Sequence, residues 1–283
     1  MNKKTMIAIC YDFDKTLSPK DMQEYGFIDK LGISANQFWG ELEAYRKLHK
    51  MDPALSFMYF MVHKYKECGL SLTQKELVDL GKNIELYKGV DTWFKRINDF
   101  AKSQDVELEH YIISSGNYEI ISGTKIAKEF KEIFASRFIY NEKDEPIWPA
   151  IALNYTNKTQ FLYRINKGIF DITDNSVNNC MSSEDRRIPF ANMIYIGDSL
   201  TDVPCMRLVY KSGGAAIGVY NNKEKDNKTM IELATNNRIN YFAEADYSKN
   251  SELENTVKDF ILKIKYSTIL ERRSKDQKAK FLK

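Results

Sequence analysis

The chain has 283 residues, 43% of them hydrophobic, ample for a real core in one large domain or two modest ones. Its 42 basic and 39 acidic residues leave a net charge of +3, which carries no polyanion signature and predicts no nucleic-acid partner. No run of about 18 uninterrupted apolar residues occurs, so no membrane span is predicted. Lys3 and Lys4 precede an apolar stretch, but Asp12 cuts it too early for a secretory leader and no small-residue cleavage site follows. Four scattered cysteines, Cys10, Cys68, Cys180 and Cys205, read as reduced thiols of a cytoplasmic protein.

The apolar run Met6 to Tyr11 has the continuous character of a central parallel strand covered on both faces. It ends in Asp12-Phe13-Asp14-Lys15-Thr16, which puts two carboxylates at the strand's carboxyl end, the edge where open α/β sheets bind ligands. In extended backbone, residues two apart point to one side. Unit charges 4 Å apart repel by about 4 kcal/mol at an effective dielectric near 20, so a shared proton or a bound cation must offset the crowding. An Asp cap at a strand-to-loop junction would use the same residues.

From residue 18 to about 88 the pattern is helical. A first helix spans Asp21 to Leu31 and stops at Gly32; a second begins at the N-cap Ser34 and runs through Leu48. Pro53 opens a third over Ala54 to Cys68, apolar nearly all round, and Thr73 with Glu76 forms a capping box for a fourth through Ile84. Gly89-Val90 then leads into a helix with Trp93, Phe94, Ile97 and Phe100. Leu108 to Ser115 reads as a second buried strand ending at Gly116. A helix over Tyr118 to Phe134 follows, then strands Ser136 to Tyr140 and Pro146 to Leu153 joined by a hairpin turn at 142–145. Thr156 to Lys167 is helical with Gly168 at its end, and Asp171 to Pro189 is a polar surface loop. Strands Asn192 to Ile196 and Ala215 to Tyr220 precede a closing helix, Leu253 to Leu270. The basic residues beyond it, Arg272, Arg273, Lys275, Lys278, Lys280 and Lys283, suit a solvated helix end. Strands alternating with helices predict an α/β fold, a Rossmann-like parallel sheet flanked by helices. An all-helical domain at 18–88 is inserted between the core segments 1–17 and 89–283.

Reactive residues therefore gather at strand ends and helix starts: Asp12 and Asp14, then Ser114, Ser115 and Gly116, then Lys158, then Asp198 and Asp202. Acids, a hydroxyl beside a glycine turn and a lysine suit a phosphate with a divalent metal, because Mg²⁺ takes oxygen ligands and keeps several waters. Ser114 and the amides after it can bond phosphate oxygens, and Lys158 adds a point charge.

The motifs DFDKT (12–16), IISSG (112–116), Lys158 and GDSLTD (197–202) resemble the four signatures of the haloacid dehalogenase-like hydrolases, in order and on the expected elements. The helical insertion is similar to the cap of the phosphoserine phosphatase-like branch. The resemblance implies that Asp12 is the nucleophile, forming an aspartyl-phosphate, and that Asp14 is general acid and then base, positioned by Thr16. It implies Mg²⁺ on Asp12, the Asp14 carbonyl and Asp198, with Asp202 a further metal-side acid, and Ser114 and Lys158 on the phosphoryl oxygens. The second Asp argues for phosphate chemistry over dehalogenation. In phosphoserine phosphatases a glutamate soon after the first motif meets the substrate's amino group; the matching places here are Asp21, or Glu24 a turn later, with Tyr25 beside it.

The expected function is thus a Mg²⁺-dependent phosphatase acting on a small phosphorylated metabolite. The alternatives are a phosphotransferase on the same core, in which an acceptor hydroxyl replaces water, and a non-catalytic phosphate-sensing or partner-binding protein. Gly197-Asp198-Ser199-Leu200 also coincides with a serine-esterase signature, but such enzymes need a histidine after the serine, and His49, His63 and His110 all precede it. Those histidines read as packing or surface residues, and Ser199 and Thr201 as helix caps.

Overall fold

The computed structural model describes residues 4–221 and 227–281; Lys283 of the basic tail lies outside them. Seven strands form one sheet in the order β4-β3-β2-β1-β5-β6-β7. They are β1 (Thr5–Tyr11), β2 (Val106–Asn117), β3 (Glu132–Tyr140), β4 (Pro146–Ile151), β5 (Met193–Gly197), β6 (Ala215–Tyr220) and β7 (Tyr241–Glu244). All neighbours are parallel except β3 and β4, the expected hairpin. The central strand β1 pairs with β2 from Thr5↔Val106 to Tyr11↔Ile112 and with β5 from Ala8↔Met193 to Tyr11↔Ile196, so Asp12 emerges between the carboxyl ends of three strands.

The two-residue period of β1 divides the core. Ile7, Ile9 and Tyr11 join one apolar cluster, Ala8 and Cys10 the other. The first cluster is covered by α5 (Val90–Ser103), through Trp93, Phe94 and Ile97, and by the closing helix, through Val257 and Ile261. The second is covered by α7 (Thr159–Lys167) and α8 (Val203–Lys211), and by α9 (Lys228–Thr235) through Met230 and Leu233. Every helix of that outer set presents an apolar stripe to the sheet, which makes burial rather than intrinsic propensity its main support.

Between β1 and α5 all regular elements are helical: α1 (Phe27–Lys30), α2 (Ala35–His49), α3 (Pro53–Glu67) and α4 (Gln74–Leu80), with short 3-10 turns. Their caps follow the sequence. Ser34 accepts from Gln37, Asp52 accepts from Ala54 and Leu55 ahead of Pro53, and Thr73 with Glu76 closes a capping box. The first expected helix is instead broken, a 3-10 turn at Met22–Glu24 and a single turn of α1. Gly26 between them has φ 111°, outside any helix. The nearly all-apolar α3 is covered on most faces, with only Leu55 and Tyr59 of its large apolar residues exposed.

Three further elements differ from expectation. The helix after β2 is only α6 (Tyr118–Ser122), and β3 begins at Glu132 rather than Ser136. The helix stops where Gly123 lies against the Val78 carbonyl, and Ile133 and Phe134 enter the sheet. The strand β7 extends the sheet beyond β6, and the closing helix α10 runs from Glu252 to Phe281. No helix among the described residues is long and apolar enough to cross a membrane. Cys10 and Cys205 are buried, Cys68 and Cys180 exposed, and all four are free thiols.

Candidate active site

Asp12 follows directly on β1; its own N–H donates to the Ile196 carbonyl, which ties it to β5, and its Oδ1 accepts the Phe13 amide at 2.8 Å. The chain then leaves extended geometry at Lys15, φ 57°, and folds back so that Asp14 bridges to Ser18. The two acids are therefore not side-by-side residues of one strand. Asp12 Oδ2 faces Lys158 Nζ at 3.0 Å, whereas Asp14 Oδ1 accepts the Met22 amide at 2.8 Å.

Lys158 immediately precedes α7, which packs on the sheet face of Ala8 and Cys10. Asn154 builds its turn: its Oδ1 accepts the amides of Thr156 and Asn157, and its carbonyl accepts the Lys158 amide. The ammonium ends wholly buried between Asp12 and Asp202, 2.8 Å from the latter. Burial works against its charge, but the two carboxylates outweigh burial and hold it protonated. Asp202 is the most enclosed acid of the set. Its Oδ1 accepts from Lys158 and from the Tyr195 hydroxyl at 2.9 Å, its Oδ2 from Ser199. Ser199 is a cap, as expected, and Asp202 is its capping-box partner.

Asp198 stands at the end of β5, with Thr16 Oγ1 donating to its Oδ1 at 3.2 Å. This corrects the expectation that Thr16 positions Asp14; the amide of Met22 does that. Ligand oxygens of Asp12, Asp198 and Asp202 lie within 4.8 Å of one another. Burial, then the neighbouring Asp202, pushes Asp12 up to about 6 despite Lys158. Burial and the same acidic neighbours raise Asp198 well above the usual carboxylate range, and burial with Asp21 and Asp12 does so for Asp14. Three crowded, desolvated carboxyls with all-oxygen donors are what a hard divalent cation satisfies, so the residues fit Mg²⁺. The Asp14 carboxylate is not in this group.

The second motif occupies an irregular stretch of β2, where the pairing with β3 shifts between Ile113 and Asn117. Ser114 is buried, and its Oγ accepts the Gly116 amide at 3.1 Å, so that amide is committed within the loop rather than open to a phosphate. Gly116 is closely approached: a Cβ there would lie 2.1 Å from Met22 Cε and 3.2 Å from Asp14 Oδ2, so the end of the Met22 side chain would have to shift.

From Asp14, Ser115 and Gly116 a cavity of about 570 Å³ extends to Trp39, Phe57 and Tyr155, contributed by α2, α3 and the turn before α7. The Asp52 carboxylate joins these walls, its Oδ1 capping α3 and its Oδ2 accepting Asn154 Nδ2 at 2.6 Å. Of the cap residues singled out from sequence, Asp21 lines the cavity and pairs with Lys15 at 2.8 Å. Glu24 and Tyr25 do not line it, and the Tyr25 hydroxyl accepts from Ser18 instead. The histidines stand apart. His110 is buried between Tyr11 and Asn98, His63 pairs with Glu67, and His49 packs on Tyr45.

Asn154 and Tyr195 escaped the sequence reading. Asn154 carried a faint signal as the first of two asparagines before the lysine, an Asx-turn composition. Tyr195 carried none, because an aromatic inside an apolar strand reads as packing.

No protein-family model matches the chain. It is 28% identical over 286 residues to an uncharacterized protein of Borreliella burgdorferi, covering 92% of this chain and 98% of that one. Among solved structures it is similar to a HAD-family hydrolase from Salmonella enterica serovar Typhi, with TM-score 0.56 and 18% identity over 83% of this chain and 66% of that one. It is also similar to a phosphoserine phosphatase solved as a phospho-aspartyl intermediate analogue, with TM-score 0.54 and 14% identity over 91% of this chain and all (100%) of that one. A probable phosphoserine phosphatase from Vibrio cholerae gives TM-score 0.57 at 11% identity, over 94% and 67% of the two chains. The fold is therefore haloacid dehalogenase-like, of the phosphoserine phosphatase-like kind.

Proposed function

We propose that the chain is a cytoplasmic, Mg²⁺-dependent phosphatase that hydrolyses a phosphate monoester of a small metabolite through an aspartyl-phosphate on Asp12, with residues 18–88 acting as a cap over the core. One observation carries the reading: Asp12 is held against a fully buried lysine, with Asp198 and Asp202 in metal-binding reach and Asp14 at the mouth of a cavity.

Asp12, Asp198 and the Asp14 carbonyl would hold the metal, with Asp202 behind them. The cation supplies the positive charge that lets a carboxylate approach a phosphate dianion. An Asp12 oxygen attacks phosphorus, the ester P–O bond breaks, and the departing oxygen takes the proton from Asp14. The raised proton affinity of Asp14 suits it to carry that proton near neutral pH. In the second step Asp14 takes a proton from water as the water oxygen attacks phosphorus, and the bond to Asp12 breaks to release phosphate. Lys158, already 3.0 Å from Asp12, balances charge on the transferring group throughout.

The test is phosphate release from a panel of phosphorylated metabolites and aryl phosphates, with and without Mg²⁺, for wild type and Asp12→Asn. Metal-dependent release lost in the variant is expected. A folded protein that releases nothing above the variant's background would sink the reading.

A further inference from the structure

The cavity is far larger than one amino-acid side chain requires, and away from the reacting carboxyls its walls are mostly apolar, with Gln23, Ser56 and Asn154 among them. Its outer wall is aromatic. Trp39 and Phe57 stack with centroids 6.0 Å apart and planes at 27°, and Tyr155 of the turn before α7 lines the same space. Three charged residues beyond Asp14 line the space, and each is engaged: Asp21 with Lys15, and Glu43 with Arg46 through two bonds of 2.8 Å. An amino-acid leaving group would bring an ammonium and a carboxylate into this space, each needing a counter-charge of its own once desolvated. The lining charges already have partners, Glu43 in Arg46 within the lining and Asp21 in Lys15 outside it.

We propose that the preferred substrate is the phosphate monoester of an uncharged aromatic alcohol, its ring lying against Trp39 and Phe57. This rests on the phosphatase reading for the chemistry, but the recognition surface is separate from the reacting groups. Flat rings offer large apolar area and stack on aromatic walls, whereas a short polar alcohol fills little of the space and leaves the rings wet.

Ethyl phosphate, 2-phenylethyl phosphate and phosphoserine all release primary alcohols, so their kcat/KM values compare recognition at similar chemistry. We expect 2-phenylethyl phosphate to exceed both others by about thirtyfold, the scale of burying one phenyl ring in an apolar pocket. Trp39→Ala should bring the ratio of the phenylethyl to the ethyl ester towards one, and Trp39→Phe should restore most of it. Tyr155→Ala, on an exposed turn, gives a second lowering of that ratio should Trp39→Ala not fold.

In parallel, calorimetry with 3-phenylpropylphosphonate and propylphosphonate, which cannot turn over, reads the pocket without the reaction. Hydrolysis with no aromatic preference, or with phosphoserine preferred, overturns the proposal and leaves the phosphatase reading standing. Tighter arylphosphonate binding with no hydrolysis of any ester supports the pocket assignment and removes the phosphatase reading. Neither hydrolysis nor a binding difference removes both.

Discussion

Lys158 donates to Asp202 over 2.8 Å with both side chains entirely shielded from water. Removing one partner of such a pair strands the other charge, a cost of about 3–5 kcal/mol. Lys158→Met, which strands Asp12 and Asp202 together, should lower stability by about that amount in urea unfolding while cutting kcat about a hundredfold or more, and Asp202→Ala, which leaves Lys158 its contact with Asp12, should cost less. Lys158→Arg should not rescue turnover, because a planar fork cannot replace a point charge in a space closed around an ammonium. Turnover of Lys158→Arg at wild-type rate would contradict the assigned role.

Magnesium should bind the folded chain and not the unfolded one. At 100 times its dissociation constant it is expected to add about 2.7 kcal/mol of stability. The gain should vanish in Asp198→Asn and shrink in Asp12→Asn, read by thermal denaturation at rising Mg²⁺. An equal gain in Asp198→Asn would place the cation elsewhere.

Acid should destabilise the protein partly through His110. Burial holds this imidazole at a pKa of about 3, with Tyr11, Asn98 and Phe94 around it and no acid among these neighbours to stabilise the cation. In the unfolded chain it takes up a proton near pH 6.5, while the native state does not until near 3. Stability from this group is thus complete above the unfolded value and falls as pH drops through the interval, by about 1.4 kcal/mol per unit. Between pH 7 and pH 5 wild type should lose about 2 kcal/mol more than His110→Gln. Parallel losses in the two proteins would assign the acid sensitivity to the carboxylates alone.

Two glycines should respond oppositely to alanine. Gly40 sits inside α2, and a methyl group added there would meet nothing within 4 Å, so Gly40→Ala should stabilise by about 1 kcal/mol through helix propensity. At Gly123 a Cβ would fall 1.8 Å from the Val78 carbonyl, forcing α4 off α6, and Gly123→Ala should cost about 2 kcal/mol or more. Thermal denaturation of both variants reads the two signs.

What the sequence made visible were features with local causes. The run before Asp12 announced β1, and Ser34, Pro53 and Thr73 announced their helices through capping chemistry. The hairpin of β3 and β4 was visible in its polar turn. Contacts across the fold were not. A helix was expected over Tyr118 to Phe134, yet α6 ends at Ser122, because the close approach of Gly123 to Val78 is a tertiary fact. Four-residue β7 carries too little pattern to stand out at a sheet edge. In the site, each acid was legible as an acid, but its partner was not. Thr16 serves Asp198 rather than Asp14, and the Tyr195 hydroxyl that steadies Asp202 hides within an apolar strand.

The carboxylate of Asp52 fastens α3 to Asn154, and Asn154 shapes the turn from which Lys158 rises. On the proposed reading, the wall for the leaving group and the lysine for the phosphoryl group thus hang from one bracket. A change at Asp52 would therefore reach both at once.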